Sequence, residues 1–335
     1  MHNLIRRSAP RSTVAGAAPT LIDRRRFLAA TAAGLALTGL DGVVRGHAAT
    51  PAYVFRHGAF EITVVSDGYF VLPPPNLAAD VGFLYPDTPR PELEAFLKGA
   101  GLSIDRVQLP NNVTLIRAPS DLILVDTGAG GSWQPTAGKL VENLQAAGID
   151  RAKVTKVVFT HAHPDHLWGV ADEGGVLRFP NARYFLAEPE WNFWMAEDVM
   201  NKLPENFQRF ALGAKRDLSR IKDRLTTLKA GDEVASGIRV LATPGHTPGH
   251  VSLEIAGGDG LIVVGDVMAN AAVSFAHPEW RFAIDTIPEL AIQSRRRLLD
   301  RAATDRVRLL GSHWPYPGLG MAERKDGAYR FVATG

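Results

Sequence analysis

The 335-residue chain contains no cysteine. Disulfides and thiolate metal ligands are both excluded, so any bound metal must be held by nitrogen and oxygen donors. It has no Gly-x-Ser-x-Gly pattern either, which removes the nucleophile elbow of the serine hydrolases. The apolar stretch Phe27 to Leu40 is too short for a transmembrane helix. There is no internal repeat, and the basic surplus is local. Residues 1–48 hold seven of the 37 basic and two of the 35 acidic residues, which leaves the remainder at a formal net charge of −3. A basic stripe for nucleic acid is therefore not expected.

Residues 1–48 read as a targeting segment. Arg24-Arg25-Arg26-Phe27-Leu28 resembles the twin-arginine export motif, the apolar run follows, and Gly46-His47-Ala48 supplies small residues before a cut at Ala49. The expectation is a folded protein exported to the periplasm or beyond, without a stable membrane anchor, whose working part is residues 49–335.

What the chain does contain is His-Ala-His-Pro-Asp-His at 161–166. Three imidazoles and a carboxylate within six residues serve no packing purpose, but they suit zinc and similar ions. The β-branched run Val154–Thr160 before it reads as a buried strand, so the ligands fall in the turn at its C-terminal end. Three more candidates follow strand-like or glycine-punctuated segments. They are His246 in Pro-Gly-His-Thr-Pro-Gly-His, Asp266 after Leu261–Val264, and His313 after Val307–Leu310. Asp126 ends Val-Asp-Thr-Gly in the same manner.

In order and coarse spacing, His161, His163, Asp165, His166, His246, Asp266 and His313 resemble the signature of the metallo-β-lactamase superfamily. The resemblance covers roughly residues 55–333 and extends to Val125-Asp126-Thr127-Gly128. Phe60–Thr63, Ser66-Asp67-Gly68, Phe179–Ala182 and Gly327–Val332 point to its methyl parathion hydrolase-like branch. It implies an αββα four-layer sandwich with a helical insert, and two divalent ions. Zinc leads, and manganese, cobalt or iron fit the same donors. One ion would sit on His161, His163 and His246, and the other on Asp165, His166 and His313. Asp266 would bridge them, and Asp165 and Asp266 would be the catalytic carboxylates. A homodimer is also implied.

Asp266 argues against a β-lactamase, since those members generally lack a bridging aspartate. His163 argues against the oxygen-reducing di-iron relatives, which carry a carboxylate there. Asp126 and Asp67 are expected to orient ligating imidazoles. Trp133, Trp194 and Phe210 are expected to line an apolar pocket, with residues 201–229 as the helical insert over it. The reading is a hydrolase in which a hydroxide shared by two ions attacks an uncharged ester, lactone or organophosphate triester of a small molecule. A phosphodiesterase, nuclease or β-lactamase on the same fold is the alternative.

Overall fold

Short β-branched segments separated by Gly, Pro and Asp assemble into two seven-stranded sheets. The computed structural model describes residues 51–334, and the expected export segment lies outside the described residues. The first sheet runs in chain order: β1 Tyr53–His57, β2 Phe60–Leu72, β3 Val107–Arg117, β4 Leu122–Val125, β5 Lys156–Val158, β6 Arg183–Ala187 and β7 Leu225–Leu228. It is antiparallel up to β4 and parallel from β4 to β7. The second comprises β8 Glu233–Ala235, β9 Ile238–Ala242, β10 Val251–Ile255, β11 Leu261–Gly265, β12 Arg308–Gly311, β13 Leu319–Lys325 and β14 Ala328–Ala333. Its one parallel pair is β11 with β12.

Helices cover the outer faces. They are α1 Arg90–Gly99, α2 Leu140–Ala146, α3 Pro164–Leu167, α4 Glu188–Met195, α5 Val199–Lys202, α6 Gln208–Ile221, α7 Ala271–Ala276 and α8 Pro288–Asp305. Ile62, Val64, Ile116 and Val125 meet Val240, Leu253, Val263 and Leu310 between the sheets. Leu115, Leu124 and Tyr184 face outward onto Leu144, Trp194 and Leu218. Ile262, Val264 and Leu309 pack on Phe275, Leu298 and Leu299. Neighbouring residues of β11 thus serve two cores, so the strand is apolar throughout rather than alternating. The architecture is the expected α/β/β/α sandwich.

Two local expectations are corrected. Residues 201–229 are not all helical, because α6 ends at Ile221 and Leu225–Leu228 forms the edge strand β7, parallel to β6. A four-residue strand carries too little periodicity to be seen beside an amphipathic helix. The sequence of residues 189–200 also reads as one helix, but α4 ends at Met195, where Ala196 adopts φ −57°, ψ 141° and turns the chain into α5.

The fold matters for function through where strands end. Asp126 follows β4, the His161–His166 loop follows β5, Asp266 follows β11 and His313 lies just past β12. Two parallel pairs, one in each sheet, thereby deliver their C-terminal ends to one edge of the sandwich.

Candidate metal centre

The seven candidate ligands converge in two groups. His161, His163 and His246 form one, and Asp165, His166, Asp266 and His313 the other, with the potential ligand atoms of each group within 4.8 Å of one another. Asp266 joins them. Its Oδ1 lies 3.2 Å from His166 Nε2 and 3.0 Å from His313 Nε2. Its Oδ2 lies 3.4 Å from His246 Nε2 and 3.9 Å from His161 Nε2. Asp165 Oδ2 closes the second group at 3.1 Å from His166 and 3.2 Å from His313. His163 Nδ1 and His246 Nε2 approach to 2.9 Å.

The donor chemistry fits two divalent cations. His161 Nε2, Asp165 Oδ2 and Asp266 Oδ1 are buried without a hydrogen-bond partner. Buried polar atoms in folded proteins usually have partners, and three of the seven orphans among the described residues gather at this one locus, where a cation would satisfy them. The far ring nitrogens are held instead. His161 Nδ1 meets Thr160 Oγ1 at 3.1 Å, His166 Nδ1 the Asp126 carboxylate at 2.8 Å, His246 Nδ1 the Asp285 carboxylate at 2.9 Å, and His313 Nδ1 the Pro110 carbonyl at 2.8 Å. Such contacts fix each tautomer and leave the inner nitrogen for coordination.

The two groups differ electrostatically. Burial, reinforced by neighbouring histidines, holds His161 and His163 well below the ordinary imidazole range, so both are neutral, the form a cation would bind. Burial also opposes protonation of His166, yet the charges of Asp165, Asp266 and Asp126 outweigh it and raise the group. His313 is raised to about 10 in the same way, burial being overcome by Asp266 and Asp165. Burial alone would raise Asp266, but His313 and His166 hold it well below the usual carboxylate range.

Backbone geometry sets the carboxylates. Asp126 adopts φ 64°, a left-handed conformation that costs a non-glycine residue energy. Its side chain accepts from Thr160 N at 2.8 Å, Thr160 Oγ1 at 2.9 Å and His166, which hold it there. Asp266 is presented by Gly265 at φ 59°, where a Cβ would stand 2.6 Å from His250 Nε2. That same nitrogen accepts the Asp266 backbone N–H at 2.9 Å. His250 therefore holds the backbone of the residue whose carboxylate faces both ligand groups.

Asp67 sits elsewhere than expected. It touches no imidazole and accepts from Ala129 N, Gly138 N, Leu140 N and Asn111 Nδ2 at 2.8–3.1 Å. Burial pushes it up to about 6 despite these donors. Its link to the centre runs through Asn111, which also donates to the Asp165 carbonyl at 2.9 Å.

A cavity of about 240 Å³ opens onto the centre at His163, Asp165, His246, Asp266 and His313. Trp133 and Phe210 line it, with Phe210 set edge-on to His163 at 5.5 Å. Trp194 does not line it. That ring is fully buried behind His163 at 5.7 Å and donates to Glu190 Oε1 at 2.6 Å. Phe70, Leu72, Leu77, Phe83 and Phe282 complete the apolar lining, and no sequence pattern indicated them. Phe70 meets His313 edge-on at 5.1 Å. Asp285 and Glu190 were missed for different reasons. Asp285 lies in a patternless loop, and Glu190 reads as an ordinary acidic residue in a helix's first turn.

The family model of the metallo-beta-lactamase superfamily matches residues 106–313. The chain belongs to this superfamily. It is thereby a metal-dependent hydrolase fold with a dinuclear-type cluster. Among curated relatives, metallo-beta-lactamase domain-containing protein 1 of Xenopus laevis is 30% identical over 179 residues, 52% of this chain and 60% of that protein. Among solved structures, AidC superposes with a TM-score of 0.78 at 28% identity, covering 85% of this chain and 98% of that one. AidC is described as a dizinc quorum-quenching lactonase, seen with the product N-hexanoyl-L-homoserine. The hydrolase AbOPH superposes at 0.77 with 29% identity, covering 86% and 99%.

Proposed function

We propose that this metallo-beta-lactamase superfamily member hydrolyses an uncharged lactone, ester or phosphotriester bond in a small molecule with an apolar body. The observation that carries the reading is the cavity. It runs from aromatic and aliphatic walls directly onto Asp266, whose two oxygens face the two ligand groups. Two bound divalent ions would supply an activated water and polarise the bond under attack.

The chain's own groups do the rest. Asp266 fixes the separation of the two ligand sets, with its backbone held by His250 and its carboxylate by the surrounding imidazoles. Asp165, within reach of His166 and His313, is the carboxylate placed to take the proton of the attacking water and return it to the oxygen that departs. Phe70, Trp133, Phe207, Phe210 and Phe282 exclude water and orient an acyl or aryl group. Beyond the ligand cluster the lining carries one charged residue, Arg209, which is too little for a polyanion. The likeness to AidC supports a lactone, and the sequence likeness to the methyl parathion hydrolase-like branch supports an aryl ester or triester.

The test is a panel assay of zinc-, manganese-, cobalt- and iron-loaded protein on an acyl lactone, a para-nitrophenyl ester, a phosphotriester, a phosphodiester and a cephalosporin. The uncharged substrates should turn over fastest. A phosphodiester or cephalosporin ahead of them would overturn the reading. Export is proposed on the Arg24–Leu28 motif alone. Replacing Arg24 and Arg25 by lysine should retain activity in the cytoplasm, and unchanged periplasmic activity would refute the route.

A further inference from the structure

The cavity wall contains one cation that the fold does not use. Arg209 lies in the first turn of α6, where the helix dipole opposes a positive charge and no acidic residue compensates. Other arginines of this helix are paired, since Arg216 and Arg220 both bind the buried Asp217 at 2.6 and 2.7 Å. Arg209 has no ion pair or hydrogen bond among the described residues. It is instead held over the Trp133 face at 4.5 Å and lies 5.6 Å from the Phe210 ring. Burial lowers its guanidinium below the ordinary arginine range, so part of its hydration is already lost. The stack leaves its hydrogen-bond donors free, since a cation–π contact uses the planar face and not the N–H edge.

Position gives this cation a direction. Phe210 packs on His163 at 5.5 Å, and Trp133 on Phe210 at 5.4 Å. Arg209 therefore lies beyond these rings from the ligand cluster, and with Asn76 and Asn206 it forms the exposed polar edge of a lining that is apolar between that edge and the ligands. A substrate whose reacting bond sits at Asp266 would reach it with the far end of its apolar portion.

We propose that Arg209 forms a second recognition point of the cavity, binding an oxygen acceptor at the end of the substrate remote from the scissile bond, a carboxylate most strongly and an amide carbonyl less so. The proposal rests on the hydrolytic reading above and deepens it. The substrate class becomes a molecule with an uncharged reacting group, an apolar middle and a distal oxygen acceptor. The guanidinium's planar fork suits a carboxylate through two parallel hydrogen bonds.

The experiment compares para-nitrophenyl hexanoate with the matching monoesters of adipic acid and of adipamic acid, which differ only at the far end of the acyl chain. Wild-type enzyme should favour the carboxylate over the methyl terminus by roughly tenfold in kcat/KM, mainly through KM, as one charge-assisted contact allows. The amide should fall between. Arg209→Leu should bring the carboxylate-to-methyl ratio to one or below, and Arg209→Lys should keep part of the carboxylate preference but lose the amide preference.

A wild-type ratio near one, or a ratio unchanged in Arg209→Leu, would overturn the proposal. Calorimetric titration with para-nitrophenyl hexyl ether and its ω-carboxy counterpart runs beside the assay. These ethers have no acyl bond to cleave, so the ratio of their affinities reads Arg209 even if no ester is hydrolysed. Failure of turnover with an intact affinity ratio would remove aryl esters from the hydrolytic reading and keep the subsite. Turnover with a flat ratio would do the reverse.

Discussion

The Asp285 carboxylate holds His246 Nδ1 at 2.9 Å with one oxygen and Arg295 Nη2 at 3.0 Å with the other. Arg295, buried in α8, also donates to the carbonyl of Val267, the residue after Asp266. One ion pair thus ties a member of the three-histidine group to the backbone beside the carboxylate that faces both groups. Asp285→Asn keeps the size but places an amide where two donors converge. Affinity for one of the two metal equivalents should fall by about 10- to 100-fold, the usual cost of losing a partner that orients a ligating imidazole. Stepwise metal titration checks this, and two unchanged binding steps would remove Asp285 from any role in metal holding.

Metal removal should destabilise the protein in a pH-dependent way. In the metal-free fold, the imidazolium groups of His166 and His313 are raised above the unfolded value of 6.5 by the surrounding carboxylates, which outweigh burial. A raised histidine contributes stability that is complete below the unfolded value and lost as pH rises through the folded one, about 10 for His313. Chelator-treated protein should therefore lose Tm as pH rises from about 6.5 to about 10, while metal-loaded protein, whose ligands are already deprotonated, holds its own better. The gap between the two melting curves should widen with pH. A constant or narrowing gap would show that these imidazoles are not charge-paired in the metal-free state.

The metal centre was legible in the sequence because its ligands stand at the ends of apolar runs, and a strand end is visible from composition alone. His161 to His166 after β5, Asp266 after β11 and His313 past β12 all obey that rule. The residues behind them do not. Asp285, Glu190 and Asn111 reach the ligands or their loops across 28 or more positions from loops, helix starts and mid-strand, and a single sequence carries no sign of such pairings. Asp67 shows the opposite failure. Asp67 is expected from the sequence to orient a ligating imidazole, and its oxygens instead gather loop amides. The pocket wall was half legible, since Trp133 and Phe210 fall in glycine-rich and helical stretches near the motif, whereas Phe70 and Phe282 arrive only through the packing of distant chain segments.

Trp194 should behave as a structural residue. It is fully buried, packs on His163 and makes no part of the cavity lining. Trp194→Ala should cost about 3–5 kcal/mol of stability in urea unfolding, as large-to-small core changes do. Any loss of kcat/KM should be similar for an aryl ester and a small aliphatic ester. A selective loss on the aryl substrate would instead place the indole against the ligand.

Glu190 joins the two loops that supply the three-histidine group. Its Oε1 accepts the backbone N–H of Ala162, between His161 and His163, at 2.9 Å, and the Trp194 indole N–H. Its Oε2 accepts the backbone N–H of Gly249, three residues after His246, at 2.9 Å. The residue is fully buried, with no cation bonded to it among the described residues. A buried carboxylate without a counter-cation is costly, and burial raises this one above its ordinary range. What offsets the cost is the convergence of backbone donors from both ligand loops. Glu190→Gln presents an amide N–H to one of those donors, a mismatch worth about 1–3 kcal/mol. The two loops should then part slightly, weakening the three-histidine group while the Asp165–His166–His313 group, built on other contacts, keeps its affinity. Metal titration separates the outcomes. Selective weakening of one step, with Tm of the metal-free protein falling less than Tm of the loaded protein, marks Glu190 as a positioning residue. Equal weakening of both steps, or a Tm loss that is the same with and without metal, would reduce it to packing between α4 and the sheet.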